Sequence, residues 1–384
     1  MSARNMVHSR ENSVSEGVGE VKKAQWSTQA YTVENLLQQF TLPQIVKCNP
    51  QAIMVRRDNP MPINLDQPLL LYESRMVEKL LARNVVIDPS TGRFTENDQT
   101  VVIPRDYEGS FLRMRCRTSK DNSTHKVIAT LPQTNVKAFL NLARLMAFCV
   151  TEGKSGSEYS QVDYAPGNVF LVESVYTGTA RVKTDSKYLN RKKSFIQDQE
   201  YLKCRDEKNK EIIIPMSHQG EFIEVMPSMS GNGRLSVKSE NLIDAKQFPT
   251  VVRYVYGKRR PRIKPFSGMF TLLDSFEEST IVGCVLDPKG HALFEIPLGS
   301  PLTFHLALNL NELSPHPIIK KTMRTCEGLA QPFARDLKYK FKFAQRFLHA
   351  SGNSHGPEDP DEIGDPPSAR NTAEFGVTTT YIYV

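Results

Sequence analysis

The chain has 384 residues, a net charge of +7 and a hydrophobic content of 39%. This length suffices for two ordinary domains or for one large all-β domain with tails. The sequence contains no apolar run of the roughly 18 residues that a membrane span needs, and its polar start lacks the apolar stretch of a signal peptide. We therefore predict a cytoplasmic protein, with the nucleus as an additional location.

Charge and cysteine spacing disfavour several classes of site. The 49 basic residues are nearly balanced by 42 acidic ones, so the positive excess does not by itself indicate nucleic-acid binding. The six cysteines contain no CxxC pair, and a reducing compartment keeps such residues as thiols. They are Cys48, Cys116, Cys149, Cys204, Cys284 and Cys326. We predict no structural zinc, no other metal site and no cofactor.

The chain begins with a polar segment, after which helical and strand-like patterns alternate. Residues 1–24 are poor in aromatic residues, and we predict a disordered lead there. Apolar residues recur at helical spacing over 33–40, and further helices are predicted over 136–146 and at 240–243. The last of these leads into the strand-like run 251–256.

A short pattern recurs along the chain: an apolar residue, a proline, a gap of four residues, then glycine-x-phenylalanine. The first copy contains Pro104, Gly109 and Phe111, the second contains Pro215, Gly220 and Phe222, and the third contains Pro297 and Phe304 with Leu302 in the glycine position. Proline closes a strand because it cannot donate to a sheet ladder, and glycine permits a turn or a bulge before the next strand. The pattern predicts a repeated structural unit rather than a catalytic site.

Short β-rich runs separated by turn signals fill most of the remaining sequence. The runs 280–286 and 292–296 flank a turn sequence and predict a hairpin. After residue 312 the pattern weakens, so we treat 313–350 as a weakly predicted extension. Glycine, proline and acidic residues over 351–384 predict a disordered tail.

The end of this tail carries two candidate motifs. Ile382 and Val384 form the hydrophobic-x-hydrophobic-carboxylate arrangement that a PDZ groove accepts by strand addition. Tyr381 and Tyr383 are candidate phosphorylation sites, because phosphate in an accessible segment would create a ligand for a Src-homology-2 domain.

The densest group of positive charges lies in a proline-containing loop after a predicted strand. Its cations are Lys258, Arg259, Arg260, Arg262 and Lys264. Concentrated charge can bind acidic lipid, nucleic acid, a phosphorylated partner or a nuclear importer, and it can equally form a solvated loop. Nucleic acid is disfavoured because no aromatic residues are interleaved to stack on bases.

Catalytic patterns do not emerge from the sequence. The eight histidines have no metal-ligand spacing and none pairs with a serine or cysteine nucleophile. The glycines at 231 and 233 lack the lysine and helix start of a phosphate-binding loop. We predict that the protein is not an enzyme.

Several of these segments, taken in order, resemble the CABIT-domain family of Themis-like and GAREM-like regulators of Erk signalling. The resemblance covers about residues 26–310. It rests on Trp26-Ser27, the run Leu42–Ile45, the stretches around Pro104 and Pro215, Phe248-Pro249, the strand with Cys284, and Glu295–Pro297. The opening is similar to GAREM-like members.

The resemblance implies a fold, a function and one special cysteine. The expected fold is an all-β CABIT domain over 25–312, built as an extended sandwich or a pair of six-stranded barrel units with a few short helices and disordered tails. The expected function is a non-catalytic signalling adaptor between receptor tyrosine kinases and Erk, with an adaptor, a kinase or a tyrosine phosphatase as partner. Cys284 falls where the family's cysteine is expected, and with no cation beside it in sequence we predict a buried structural thiol. The alternative is a protein that binds nucleic acid or an acidic surface through loop 258–264.

Overall fold

The structure, a computed structural model, is built mainly of β-strands. It describes residues 23–49, 53–54, 62–91, 93–115, 124–153, 156–184, 193–227, 235–259, 261, 263–287, 290–348 and 375–384. Strands make up 54% of the structure, and six of them close into a barrel. The all-β prediction is confirmed.

Strands follow one another along most of the described chain, with helices between some of them. The strands are β1 (Trp26–Thr32), β2 (Gln44–Cys48), β3 (Ile53–Met54), β4 (Leu69–Ile87), β5 (Phe94–Pro104), β6 (Gly109–Met114), β7 (Thr124–Val127), β8 (Ala138–Asn141), β9 (Leu145–Gly153), β10 (Gly156–Tyr164), β11 (Val169–Thr184), β12 (Lys193–Arg205), β13 (Glu211–Pro215), β14 (Gln219–Met226), β15 (Ser236–Val237), β16 (Thr250–Gly257), β17 (Met269–Val285), β18 (Leu293–Pro297), β19 (Thr303–Ala307), β20 (Lys338–Leu348) and β21 (Phe375–Tyr383). The helices are α1 (Val33–Gln39), α2 (Thr130–Gln133), α3 (Ser239–Ala245), α4 (Leu310–Leu313) and α5 (Pro317–Ala334).

The described residues divide into two compact units. Unit 1 falls within Met1–Val77, Glu277–Ala334 and Tyr339–Val384. Unit 2 falls within Glu78–Phe276 and Arg335–Lys338. Each unit therefore combines segments that are distant in sequence.

Unit 1 combines antiparallel strands with three helices. β19 lies between β1 and β2, and β2 also pairs with the start of β4. The predicted hairpin over 280–296 is the β17–β18 pair, in which Thr280 faces Pro297 and Cys284 faces Leu293. Helix α1 begins at Thr32, whose side chain accepts a hydrogen bond from the Asn35 N–H at 3.2 Å.

Unit 2 is strand-rich, with two helices. β13 lies between β9 and β12, β11 pairs with β12 and β8, and β14 pairs with both β8 and β6. β6 also pairs with β15 and with β16. Phe111 packs in one hydrophobic core of this unit and Phe222 packs in another.

The helix predicted over 136–146 is wrong, because this segment forms β8 and the start of β9. All four residues of β8 are buried, and the strand is hydrogen-bonded on both sides, to β11 and to β14. A continuous apolar run is typical of a strand buried on both faces and of a buried helix alike, so periodicity could not distinguish them.

The C-terminal part of the chain differs from the prediction. The weakly predicted extension 313–350 contains the 18-residue helix α5 and the strand β20. The last ten residues of the predicted disordered tail include β21, which pairs along β20 from Lys340 to Leu348. Ile382 and Tyr383 are fully buried, so this segment gains the core contacts that a disordered tail lacks. Residues 1–22 of the predicted lead and 351–374 of the predicted tail lie outside the described residues.

Candidate binding surface

Each copy of the repeated pattern connects two strands through the same turn. Pro104, Pro215 and Pro297 are the last residues of β5, β13 and β18. In every copy the proline carbonyl accepts a hydrogen bond from the N–H three residues later. The donors are Tyr107 at 3.1 Å, His218 at 2.9 Å and Ser300 at 3.0 Å. A turn of this kind reverses the chain after the proline has ended the strand.

The phenylalanine of each copy is a core residue. Phe111, Phe222 and Phe304 have exposures of 0%, 1% and 0%. In the first two copies the aromatic ring at the turn packs on this phenylalanine, with centroid separations of 5.8 Å for Tyr107–Phe111 and 6.4 Å for His218–Phe222. The repeated residues thus serve packing, and the surface of the turn depends on the residues between them.

Two glycines make room for Tyr107 in the first copy. Gly109 and Gly257 are opposite each other in the β6–β16 register. A Cβ atom on Gly109 would lie 2.2 Å from Tyr107 Cε1, and one on Gly257 would lie 2.1 Å from Tyr107 Oη. Both positions therefore require glycine. The ring fills this space and is 5% exposed, and burial raises the pKa of Tyr107 above its ordinary value.

A surface cleft of about 550 Å³ opens over this turn. Its lining comprises Arg105, Asp106, Tyr107, Glu108, Gly109, Ser110, Ser236, Val237, Lys238, Glu240, Asn241 and Tyr256. The first copy of the pattern thus supplies one wall, and β15, the start of α3 and β16 supply the others. The Ser239 hydroxyl donates to the Arg105 carbonyl at 2.8 Å, which fixes α3 against the turn.

The charged groups of the turn are held in ion pairs. Arg105 contacts Glu78 at 2.6 Å and Asp244 at 2.7 Å, and the hydrogen bonds to these two carboxylates raise its pKa. The partners of Glu108 are Lys258 at 3.2 Å and Arg335 at 3.7 Å. These contacts orient the side chains of the turn, although exposed pairs contribute little stability.

The rim of the cleft carries an exposed aromatic residue. Tyr256 is 65% exposed, and the neighbouring Val255 is 49% exposed. Tyrosine is enriched at protein interfaces because it presents a large apolar face together with a hydroxyl. A cleft with oriented charges and one exposed aromatic side chain suits the binding of a peptide or a protein loop.

The structure describes three cations of the predicted basic loop. Lys258 pairs with Glu108, and Arg259 lies 3.3 Å from Asp336. Lys264 is exposed, whereas Arg260 and Arg262 lie outside the described residues. The carboxylates beside Lys258 and Arg259 reduce the positive potential that the sequence alone suggests.

The candidate motifs at the C-terminus lie in β21 rather than in an accessible tail. The hydroxyls of Tyr381 and Tyr383 donate to the Glu278 carboxylate at 2.9 Å and 2.7 Å. Burial raises the pKa of Tyr381 to about 12 and that of Tyr383 further. Val384 exchanges backbone hydrogen bonds with Tyr339 at 2.9 Å and 3.1 Å. Because Ile382 and Tyr383 are fully buried, a PDZ groove or a kinase cannot reach these two side chains while β21 is paired, whereas Tyr381 and Val384 are only partly buried.

Cys284 is fully buried, and its thiol donates to the Val285 carbonyl at 3.6 Å. Cys326 of α5 hydrogen-bonds to this thiol, which lowers the pKa of Cys284, whereas the same bond and burial raise the pKa of Cys326. Both residues pack in the same hydrophobic core. The arrangement joins α5 to the sheet of unit 1.

The described residues contain no cluster of three or more His, Cys, Asp or Glu side chains arranged to hold a metal ion. In the same part of the chain, no helix combines the length and the apolar character of a membrane span.

Comparison with known families gives a match for the greater part of the chain. A model of the CABIT family, described as "Cell-cycle sustaining, positive selection", matches residues 90–317. The chain belongs to the CABIT family. The match includes all three copies of the repeated pattern. No curated protein and no solved structure matches the chain.

Sequence reasoning missed most of the cleft. Tyr107 and His218 are the aromatic residues three positions after the proline in the first two copies, and this shared feature could have been found by aligning the copies. Tyr256 gives no such signal, because the strand pattern of β16 does not reveal which of its aromatic residues is exposed.

Proposed function

We propose that this CABIT protein is a non-catalytic intracellular adaptor in signalling from receptor tyrosine kinases to Erk, and that GAREM-like regulators are its nearest relatives in the family. The match over residues 90–317 carries the proposal. Its partners are an adaptor, a kinase or a tyrosine phosphatase, met in the cytoplasm and additionally in the nucleus. Binding is its activity.

The cleft over the first copy of the pattern supports a binding role. Its charged side chains are engaged in ion pairs and stabilise the shape of the surface. A catalytic acid or base needs contact with a substrate and a pKa suited to proton transfer, whereas Arg105 has a raised pKa and stays charged. Tyr256 supplies the exposed apolar area that an interface needs.

Affinity capture with the full-length protein tests the proposal. We expect tagged protein from growth-factor-stimulated cells to recover a tyrosine kinase, its adaptor or a tyrosine phosphatase, in larger amount than from resting cells. The variant Tyr256→Ser should recover less of that partner, and Tyr176→Ser, which changes a 36% exposed tyrosine of β11, should recover the wild-type amount. Depletion of the protein should change Erk phosphorylation after stimulation.

Two results would contradict the proposal. One is the absence of any signalling protein among the captured species in both cell states, together with unchanged Erk phosphorylation. The other is turnover of a substrate by the purified protein. Equal recovery by the wild type and Tyr256→Ser would place the interaction outside the cleft.

A further inference from the structure

Unit 1 contains an apolar pocket beside helix α5. Its volume is about 350 Å³, within the range of ligand pockets. Ile45 of β2, Leu70 of β4 and Ile319 of α5 form its floor, and these side chains are 0%, 2% and 3% exposed. Leu310 of α4 and Met323 of α5 add partly buried apolar walls. The pocket can therefore take an apolar group of substantial size.

The way α5 packs keeps this pocket open. The second half of the helix buries Cys326, Ala330 and Ala334, whose small side chains allow close approach to the sheet. The thiol of Cys326 reaches Cys284 on β17. The first half buries Ile319 and Thr322, and beside them Met323 of α5 and Leu310 of α4 line the pocket. The pocket is thus bordered by a helix that packs on the sheet.

Positive charge lines the mouth of the pocket. Lys320 and Arg324 border it, together with one acidic residue, Glu327. A second depression of about 510 Å³ is lined by Pro315, Pro317, Lys320, Lys321, Arg324 and Thr325. Lys320 and Arg324 belong to both, so the apolar pocket continues into a strip with three cations. Among the described residues, none of the three cations has a carboxylate within ion-pair distance.

We propose that this pocket binds an acidic peptide segment, which inserts one bulky apolar side chain and places flanking carboxylates on Lys320, Lys321 and Arg324. Burial of the apolar anchor side chain against this floor is favourable. The cationic strip attracts a ligand with several negative charges and repels basic peptides. The interaction goes beyond the proposed function, because it concerns a different surface and does not depend on the cleft.

The pocket has an apolar floor and cations at its mouth, and this arrangement favours an acidic peptide over two other ligands. A phosphotyrosine side chain carries its charge at the far end of the ring, and insertion would put the phosphate on Ile45 and Leu70, where an unpaired charge is costly. A fatty acid has the right polarity, but its single carboxylate uses one cation of three. A peptide with one apolar anchor and acidic neighbours matches both parts of the site.

Selection from a random-peptide phage library on the full-length protein tests the proposal. We expect enriched peptides to contain a large aliphatic or aromatic residue with aspartate or glutamate on both sides. Synthetic versions should bind in fluorescence anisotropy, and binding should weaken as salt rises because the cations are exposed. The double variant Lys320→Glu/Arg324→Glu should lower the affinity at least about tenfold. Met323→Gln, which makes one wall polar, should lower it without changing the salt dependence.

The control has the same change of charge in unit 2. Lys208→Glu/Lys210→Glu reverses two exposed cations in the turn between β12 and β13, and it should bind the peptides as the wild type does. Melting temperatures of all variants show whether they fold. Enriched peptides without acidic residues, or equal affinity for the wild type and Lys320→Glu/Arg324→Glu, would overturn the proposal. Binding of a fluorescent dodecanoate that depends on Arg324, with no peptide enriched, would overturn it in favour of an anionic lipid.

Discussion

The first two copies of the repeated pattern share a scaffold and differ in surface chemistry. In both, proline ends a strand, the backbone N–H of the aromatic residue three positions later donates to the proline carbonyl, and the ring of that residue packs on a buried phenylalanine. The turn after Pro104 is Arg-Asp-Tyr-Glu, with three charged residues in four, whereas the turn after Pro215 is Met-Ser-His-Gln, with none.

The two turns also differ in the contacts that they make with the surrounding chain. The charged turn forms a wall of the 550 Å³ cleft, and its ion pairs reach Asp244 of α3, Lys258 just after β16, and Arg335. In the neutral turn, the Met216 and His218 carbonyls accept hydrogen bonds from Ala129 and Ile128 at 3.1 Å, so it connects to the neighbouring chain mainly through the backbone. The repeated residues hold the strands together, and the residues between them determine the charge of the surface.

The largest expected effect follows from the shared scaffold. Phe111→Ala and Phe222→Ala should each lower the free energy of unfolding by about 3–5 kcal/mol, because each leaves a cavity in a packed core. Urea denaturation followed by circular dichroism measures this. Tyr256→Ala, at an exposed aromatic position, should change stability by less than about 0.5 kcal/mol. A loss below about 1 kcal/mol in one copy only would show that the two phenylalanines are not equivalent.

The next largest expected effect is on stability, and it comes from glycine substitutions that should differ between the first two copies. Gly109→Ala should destabilise by about 1–3 kcal/mol, since its Cβ would lie 2.2 Å from the Tyr107 ring and 2.6 Å from the Tyr256 carbonyl oxygen. Gly220→Ala should cost less, because the atoms nearest to its Cβ belong to the Phe222 ring, at 2.6 Å and beyond, and not to the backbone. Gly299→Ala has no neighbour within 4 Å and serves as the matched control. Equal midpoints of thermal unfolding for Gly109→Ala and Gly299→Ala would contradict the tight fit around Tyr107.

The sequence predicted the scaffold well because its signals are local. Prolines at strand ends, the 280–296 hairpin and the helical spacing from Val33 depend on residues that are close in the chain. The β-rich composition and the order of the motifs were sufficient to predict the fold class and the family.

The surface could not be predicted, because it is assembled from distant segments. The ion pair between Glu108 and Arg335 joins residues far apart in sequence. The C-terminal strand was missed for the same reason: Tyr381 and Tyr383 are fixed by Glu278, and nothing next to them in sequence indicates that partner. Helix α5 was missed although its buried residues Ile319, Thr322, Cys326, Ala330 and Ala334 recur at helical spacing, because only Ile319 among them has a large apolar side chain.

A smaller effect should distinguish the charged turn from the neutral one. Arg105→Gln should lower stability by less than about 1 kcal/mol at low salt, because the guanidinium is partly exposed and its two ion pairs are screened. The loss should shrink further in concentrated NaCl. Met216→Gln, in the corresponding position after Pro215, should have an effect that does not depend on salt. Salt-independent behaviour of both variants would argue against an electrostatic role for the charged turn.

The smallest effect is a pH dependence confined to the second copy. Burial lowers the pKa of His218, so the folded protein favours the neutral imidazole and the unfolded chain binds a proton more readily. Above the unfolded pKa of about 6.5, the imidazole of His218 is neutral in both states and its protonation does not change the free energy of unfolding. Stability falls as the pH drops through that value toward the lower folded pKa. His218→Tyr, which copies the ring of Tyr107, should flatten the decline in melting temperature between about pH 7 and pH 5. His305→Gln changes another histidine, in unit 1, and serves as the control. A decline in His218→Tyr as steep as that of the wild type would mean that His218 stays as easy to protonate in the fold as outside it.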